Sequence, residues 1–321
     1  MDDLARFAEQ YHALVASDNE FQRRARVLQS IWREEQGYPI GCHEGKQGPV
    51  ALGSRLAMPW AEETLANYLT GNIRQVVRQE VLDPIRSEGK LYGRPRIFDD
   101  LLSSQPLCFN LFGELRYKLP LASIVFEDLT AGRVRQVTYI EFEYSPGRGD
   151  RRFTGDHSAF DVYLEFITTD GKPGFPGIEV KYHENLRNKA ATHRPRYDEL
   201  ADMMGCFRPG HPKQLRNTPL QQIWRDHLLT GSMQHLSEFD DGFFALLYPK
   251  DNAACSQAAL SYSNCLSSTR TFVAWILESV AQAIKRHSDA DWIDRLIDRY
   301  LDFGKLDRLS EPRQAIHCIP P

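Results

Sequence analysis

Three side chains in the middle of the sequence have the types and spacing for metal-assisted chemistry. They are Asp161 in AFDVYLEFI (159–167) and Glu179 with Lys181 in GIEVKY (177–182). Side chains along an extended strand alternate with period two. Asp161, Tyr163 and Glu165 should therefore share one face, with Phe160, Val162, Leu164 and Phe166 on the other. Glu179 and Lys181 likewise oppose Ile178, Val180 and Tyr182. If the two strands are neighbours, Asp161 and Glu179 converge above the sheet with Lys181 beside them. Glu141 and Glu143 in VTYIEFEY (137–144) share a face as well, so a third acidic position approaches the same place. Two convergent carboxylates suit Mg²⁺, a hard cation that keeps several waters and takes few protein ligands. Such an ion polarises a phosphoryl oxygen and lowers the pKa of a bound water. A lysine two residues from a ligand positions that water or neutralises charge developing on phosphorus. The combination fits phosphodiester hydrolysis. The competing reading is a sheet face that merely displays a Glu/Lys pair. In a chain with 43 acidic residues the bare spacing means little, and its weight comes from the adjacent strands.

The elements that must position these residues follow from periodicity. Residues 3 to 36 read as helical in two segments, the second carrying Arg23, Arg24, Arg26 and Arg33. That basic face is either solvated or a phosphate-contacting surface, with Arg23 and Arg26 as the candidate contacts. A Gly/Pro-rich loop is expected over 37–53, a helix over 60–85 and a polar turn near 88–96. SSQPLCFNLFGEL (103–115) reads as a helix opened by a Ser cap, with Pro106 tolerated in its first turn and with Asn110 and Glu114 on one face. The period then changes to two, and 137–144, 159–167 and 177–182 form an antiparallel meander. Helices follow near 196–207 and 219–233, FFALLYP (243–249) is a compact strand, and helices over 269–286 and 290–302 close the chain.

The composition is that of an ordinary globular protein, 42% hydrophobic and 26% charged. No apolar run approaches the roughly 18 residues needed to span a bilayer, and MDDLARFAEQ lacks a signal-peptide pattern, so a cytoplasmic, soluble protein without membrane association is expected. Six cysteines are scattered without CxxC spacing, which argues against a disulfide framework or a structural zinc site. A net charge of −4 neither supports nor excludes a nucleic-acid partner, because acidic site residues offset basic ones elsewhere. No GxxxxGK[ST], GxGxxG or GxSxG occurs, which argues against an NTPase, a dinucleotide enzyme and an α/β-hydrolase. Any ATP-driven translocation would need a separate ATPase partner.

GDHSAFDVYLEF, with GIEVKYHE eighteen residues on from the Asp, resembles motifs II and III of the PD-(D/E)XK nuclease superfamily. With LGSRLA, LSSQPLCFNLFGEL, PLQQIWRDHLL and LLYP, the chain resembles bacterial restriction endonucleases of that superfamily from about residue 20 to 280. The resemblance implies an α/β fold with a restriction-endonuclease-like αβββαβ core, a mixed sheet flanked by helices. The core would occupy 101–265, between a helical N-terminal region (1–100) and C-terminal helices (266–321). It implies Asp161 and Glu179 as metal ligands, Lys181 as the catalytic lysine, and Glu114 or Glu143 as an additional acidic ligand. The cofactor would be Mg²⁺, with Mn²⁺ as a substitute. The implied activity is that of a Mg-dependent deoxyribonuclease, an endonuclease in restriction or defence against foreign DNA. PLQQIWRDHLL resembles the Gln-rich helix after the catalytic strand in the RecB-like branch, which makes Gln221 and Arg225 candidate DNA contacts; the alternative is a packed Trp224 beside an exposed Arg225. His183 and Glu184 are read as structural rather than catalytic. No Pro precedes Asp161, a position that varies across the superfamily. A homodimer is expected, since two sites related by a twofold axis cut both strands of a duplex most simply. The competing functional class is a noncatalytic nucleic-acid-binding module on a nuclease-like fold, which cleavage in the presence of metal would exclude.

Overall fold

The computed structural model describes residues 3–45, 48–209, 213–237 and 239–310, the side chain of Ser310 excepted. Helices α1 (Asp3–Gln10) and α2 (Glu20–Glu35) precede a hairpin of β1 (Ile40–Gly45) and β2 (Gly48–Leu56). Short helices α3 (Trp60–Thr64), α4 (Gly71–Val77, continued by a π turn over Arg78–Leu82) and α5 (Arg96–Asp99) lead into α6 (Ser104–Tyr117) and α7 (Leu119–Leu129). Strands β3 (Val134–Tyr144), β4 (Phe160–Thr168) and β5 (Pro173–Val180) follow. Helices α8 (Pro195–Met204) and α9 (Leu220–Leu236) connect to β6 (Asp241–Tyr248), and α10 (Ala253–Ser263) connects β6 to β7 (Phe272–Ile276). The last described elements are α11 (Leu277–His287), α12 (Asp291–Tyr300) and α13 (Gly304–Ser310).

The main sheet has the order β3-β4-β5-β6-β7. Its first three strands are antiparallel neighbours, and β5, β6 and β7 run parallel. A parallel return needs a crossover, which α8 with α9 and then α10 supply. Helices therefore cover both faces. Val162, Leu164, Phe166, Ile178 and Val180 pack with α6, α7, α11 and α12, while Tyr163, Phe175, Phe244 and Leu246 pack with α8, α9 and α10. This double cover explains why β6 is buried along its whole length and, after Asp241, reads as an apolar run. The mixed sheet, and the order α6, β3, β4, β5, α9, β6, are those expected of the αβββαβ core. No helix among the described residues is long and apolar enough to cross a membrane.

Several local expectations change. The supposed loop at 37–53 is the β1/β2 hairpin, and its glycines read as turn signals although Gly53 serves close approach: a Cβ there would sit 2.0 Å from the Tyr11 carbonyl oxygen. The helix expected over 60–85 is broken where Leu65 enters the left-handed region, and it restarts at Thr70, whose hydroxyl accepts from the Ile73 N–H. The stretch expected to be helical from 269 begins as β7, because FVAWI pairs with β6 before the chain turns into α11. Phe160 leaves the face of Val162 and Leu164 and joins the α9 side, where its ring lies over Gly177; a Cβ at 177 would meet that ring at 2.3 Å.

Candidate active site

Register brings the chemical residues together. Val162 pairs with Ile178 and Tyr163 with Gly177, which sets Asp161 beside the end of β5. Asp161 Oδ2 accepts from the Val180 N–H at 2.8 Å. The Lys181 N–H donates to the Leu247 carbonyl at 2.8 Å, extending the β6 pairing one residue past the strand and fixing the lysine's backbone. The Lys181 ammonium donates to Glu179 Oε1, and Gln222 Nε2 on α9 donates to the same oxygen at 2.6 Å. Glu179 and Lys181 are only 6% and 8% exposed, at the bottom of a cavity of about 400 Å³ that Asp161 also lines.

Asp161 and Glu179 share one cation, Lys181. Burial, and then the neighbouring Glu179, push the Asp161 carboxyl well above the usual carboxylate range, with Lys181 only partly offsetting them. Burial works against the Lys181 charge, but Glu179 and Asp161 overcome it and raise its pKa, so the ammonium stays protonated. A second buried acid, Asp226 on α9, lines the same cavity. It is 4% exposed, its Oδ2 has no hydrogen-bond partner, and burial followed by Glu179 raises its carboxyl well above the ordinary value. Glu143 also lines the cavity, in the left-handed region at φ 51°, and accepts from Arg148 Nη2 at 2.7 Å; burial still raises its carboxyl.

Other expected residues fall elsewhere. Glu114 does share a face with Asn110, but that face looks at residues 67–72: Asn110 Oδ1 accepts from the Leu69 N–H at 2.9 Å, and Glu114 accepts from Thr70 and from Asn72 at 3.2 Å. Glu114 thus supports the start of α4 and does not line the cavity, whereas Glu143 does. Glu141 is held by Lys90 at 2.8 Å. Arg26 is 8% exposed and spends its guanidinium on Asp18 and Ser54, so it is a structural ion pair and not an available phosphate contact. Arg23 is half-buried on the same helix and is not part of the cavity wall.

On α9, Gln221 donates to the Ala191 carbonyl at 2.6 Å and Trp224 is buried against Tyr197 and His193. Arg225 lines the cavity but donates to Asp156 at 2.7 Å and Ser158 at 2.9 Å, tying down the loop that leads into β4. Asp156 accepts from Tyr197 as well, and although burial opposes it, these donors hold its carboxyl well below the usual range. His183 bonds the Leu102 carbonyl, and Glu184 accepts from the Ser104 and Tyr182 N–H groups, so both tie the end of β5 to the start of α6.

Sequence reasoning missed Gln222 and Asp226. Their four-residue spacing puts them on one helical stripe, and that was the available signal; what the sequence lacked was the rotation of α9 about its axis. Asp161 and Glu179 could hold a hard divalent cation, whose positive charge would relieve the crowding of acids. Among the described residues no set of three His, Cys, Asp or Glu side chains stands ready for a metal, so such an ion would keep most of its waters.

A family model described as the PD-(D/E)XK nuclease superfamily matches residues 16–302. No curated protein matches the chain, and no solved structure does.

Proposed function

We propose that this chain, which belongs to the PD-(D/E)XK nuclease superfamily, is a deoxyribonuclease that uses Mg²⁺, or Mn²⁺ in its place, held by Asp161 and Glu179. Membership in a nuclease superfamily implies hydrolase activity on nucleic acid, and its members typically use divalent metals. The observation that carries the reading is the buried convergence of Asp161, Glu179 and Lys181 where β4 and β5 meet α9. A bound divalent cation supplies Lewis-acid polarisation of the phosphoryl oxygen and a lowered pKa for water.

The chain's own residues do the rest. The Val180 N–H and the Gln222 amide fix one oxygen of Asp161 and one of Glu179, so these carboxylates are oriented before substrate arrives. Lys181 stays protonated and is therefore a fixed charge and not a base. It stabilises negative charge as it develops on the phosphoryl oxygens, in a site where limited water strengthens the interaction. Restriction or defence against foreign DNA is the setting we attach to this reaction from the sequence resemblance alone. The test is incubation of labelled DNA with Mg²⁺ or with chelator, for the native chain and for Asp161→Asn and Lys181→Ala. Cleavage confined to the native chain with metal supports the proposal; undiminished cleavage by Lys181→Ala overturns the role assigned to it.

A further inference from the structure

The cavity above Lys181 is small and built. Its reactive groups are recessed: Glu179 and Lys181, which line it, are 6% and 8% exposed. Its walls are cross-tied. Arg148 donates to Glu143 and to the His157 carbonyl, Arg225 holds Asp156 and Ser158, and Gln221 holds the Ala191 carbonyl. A phosphate on the outside of an intact duplex would have to reach the 8%-exposed Lys181 through this opening, carrying the second strand against those walls.

The charges on the wall add a second observation. Five lysine and arginine side chains line the cavity. Lys181, Arg148 and Arg225 each have a carboxylate partner. Arg96, at the start of α5, and Lys189, in the segment after β5, are exposed and form no ion pair among the described residues. They belong to separate walls of a cavity whose floor is acidic, where an unpaired cation is suited to a phosphate.

We propose that the substrate enters as a single nucleic-acid strand, with Arg96 and Lys189 receiving phosphates flanking the one presented to Lys181. The proposal rests on the nuclease reading and names its substrate class. A single strand bends sharply enough to place one phosphodiester in the cavity, and it removes the reason for two sites related by a twofold axis.

Two arms separate this proposal from its premise. Binding is measured in chelator, at several salt concentrations, with a labelled 30-nucleotide single strand, the same sequence as a blunt duplex, and the native, Arg96→Ala and Lys189→Ala chains. The single strand should bind at least ~10-fold more tightly than the duplex, and each substitution should lower the log–log salt slope by about 0.7. Both side chains are exposed, so melting temperatures should not change. Equal affinity for duplex and single strand, or unaltered salt slopes, overturns the proposal whatever the cleavage result. Cleavage is measured separately with Mg²⁺: equal cutting of duplex and strand defeats the single-strand proposal and leaves the nuclease reading intact. Tight strand binding without any cutting defeats the nuclease reading alone.

Discussion

Glu80 and Asp226 are both carboxylates removed from solvent, and the fold treats them in opposite ways. Glu80, 0% exposed, accepts from Arg86 at 2.9 Å, Lys90 at 2.6 Å and Arg116 at 2.7 Å. Burial opposes its charge, yet Lys90 and Arg116 push its carboxyl below the ordinary value. Asp226, 4% exposed, keeps an oxygen without a donor and is pushed well above the ordinary value by burial and by Glu179. The two differ in the supply of donors and not in depth. A buried acid surrounded by cations has its stabilisation already in place and serves to lock α4 to α6 and the segment around Lys90. A cluster left short of positive charge stores a demand that a cation or a substrate can meet, and perturbed groups of that kind gather at functional sites.

The largest effect comes from neutralising one acid in the undersupplied cluster. Asp161→Asn should lower single-turnover cleavage on the order of 10³-fold. The metal-free protein should melt no lower than the native chain, since a neutral amide replaces a carboxyl whose charged form burial and then Glu179 disfavour. A clear fall in its melting temperature would break the comparison. Glu80→Ala should do the reverse. Deleting one partner of a buried ion pair costs about 3–5 kcal/mol, here leaving three cations facing one another, while cleavage per folded molecule stays near native at low temperature. Urea unfolding beside active-site titration checks both halves.

How much of this was legible in the sequence depends on which kind of periodicity was asked to carry it. Alternation on β5 is unambiguous, and Glu179 and Lys181 do oppose Ile178, Val180 and Tyr182. Helical phase is not, because a helix with apolar residues on most sides can be rotated. α9 has buried residues almost all round, so Gln221 and Arg225 were as plausible as Gln222 and Asp226. The same ambiguity attached Glu114 to the site when its face belongs to α4. In FVAWILESVAQAI the strand-favouring FVAWI runs without a break into a helical pattern, so the short apolar run is ambiguous and the parallel edge of β6 decides it.

The pH dependence of metal-free stability tests the contrast without removing any atom. Asp161 and Asp226 hold protons in the folded chain that unfolded carboxyls release near pH 4, so stability falls as pH rises from there toward their raised folded values. His227 acts in the other direction. Burial lowers its pKa to about 3, so the unfolded chain binds its proton first and stability falls as pH drops from about 6.5 toward that value. Above pH 6.5 His227 no longer contributes; the thiols of Cys108, Cys206 and Cys255, also raised by burial, add to the decline as unfolded thiols titrate at about pH 8.5, so the share of Asp226 is read as a difference between two chains. Asp226→Asn should reduce that decline relative to the native chain, by up to about 1.4 kcal/mol per pH unit, measured by urea unfolding of both chains from about pH 5 upward. An unchanged slope would mean that Asp226 is ionised in the folded chain and is not part of an undersupplied cluster.

The smallest effect is the most discriminating, because Arg225 stands between the two kinds of cluster. It lines the cavity, as a substrate contact would, yet its guanidinium is committed to Asp156 and Ser158, as in the Glu80 cluster. Asp156 has other donors in the Tyr197 hydroxyl, the Thr154 hydroxyl and the Ser158 N–H. Arg225→Ala should therefore cost less than Glu80→Ala, about 1–3 kcal/mol, the worth of hydrogen bonds to a charged group. What is lost is the tie between α9 and the loop before β4, so limited proteolysis should nick residues 145–159 sooner. Nucleic-acid binding should weaken by only a few-fold with an unchanged salt slope. An arginine that contacts a phosphate behaves otherwise: its removal lowers the slope by about 0.7 on a single strand and about 0.9 on a duplex. A lowered slope with native protease resistance would move Arg225 out of the structural class and into the phosphate-binding set with Arg96 and Lys189.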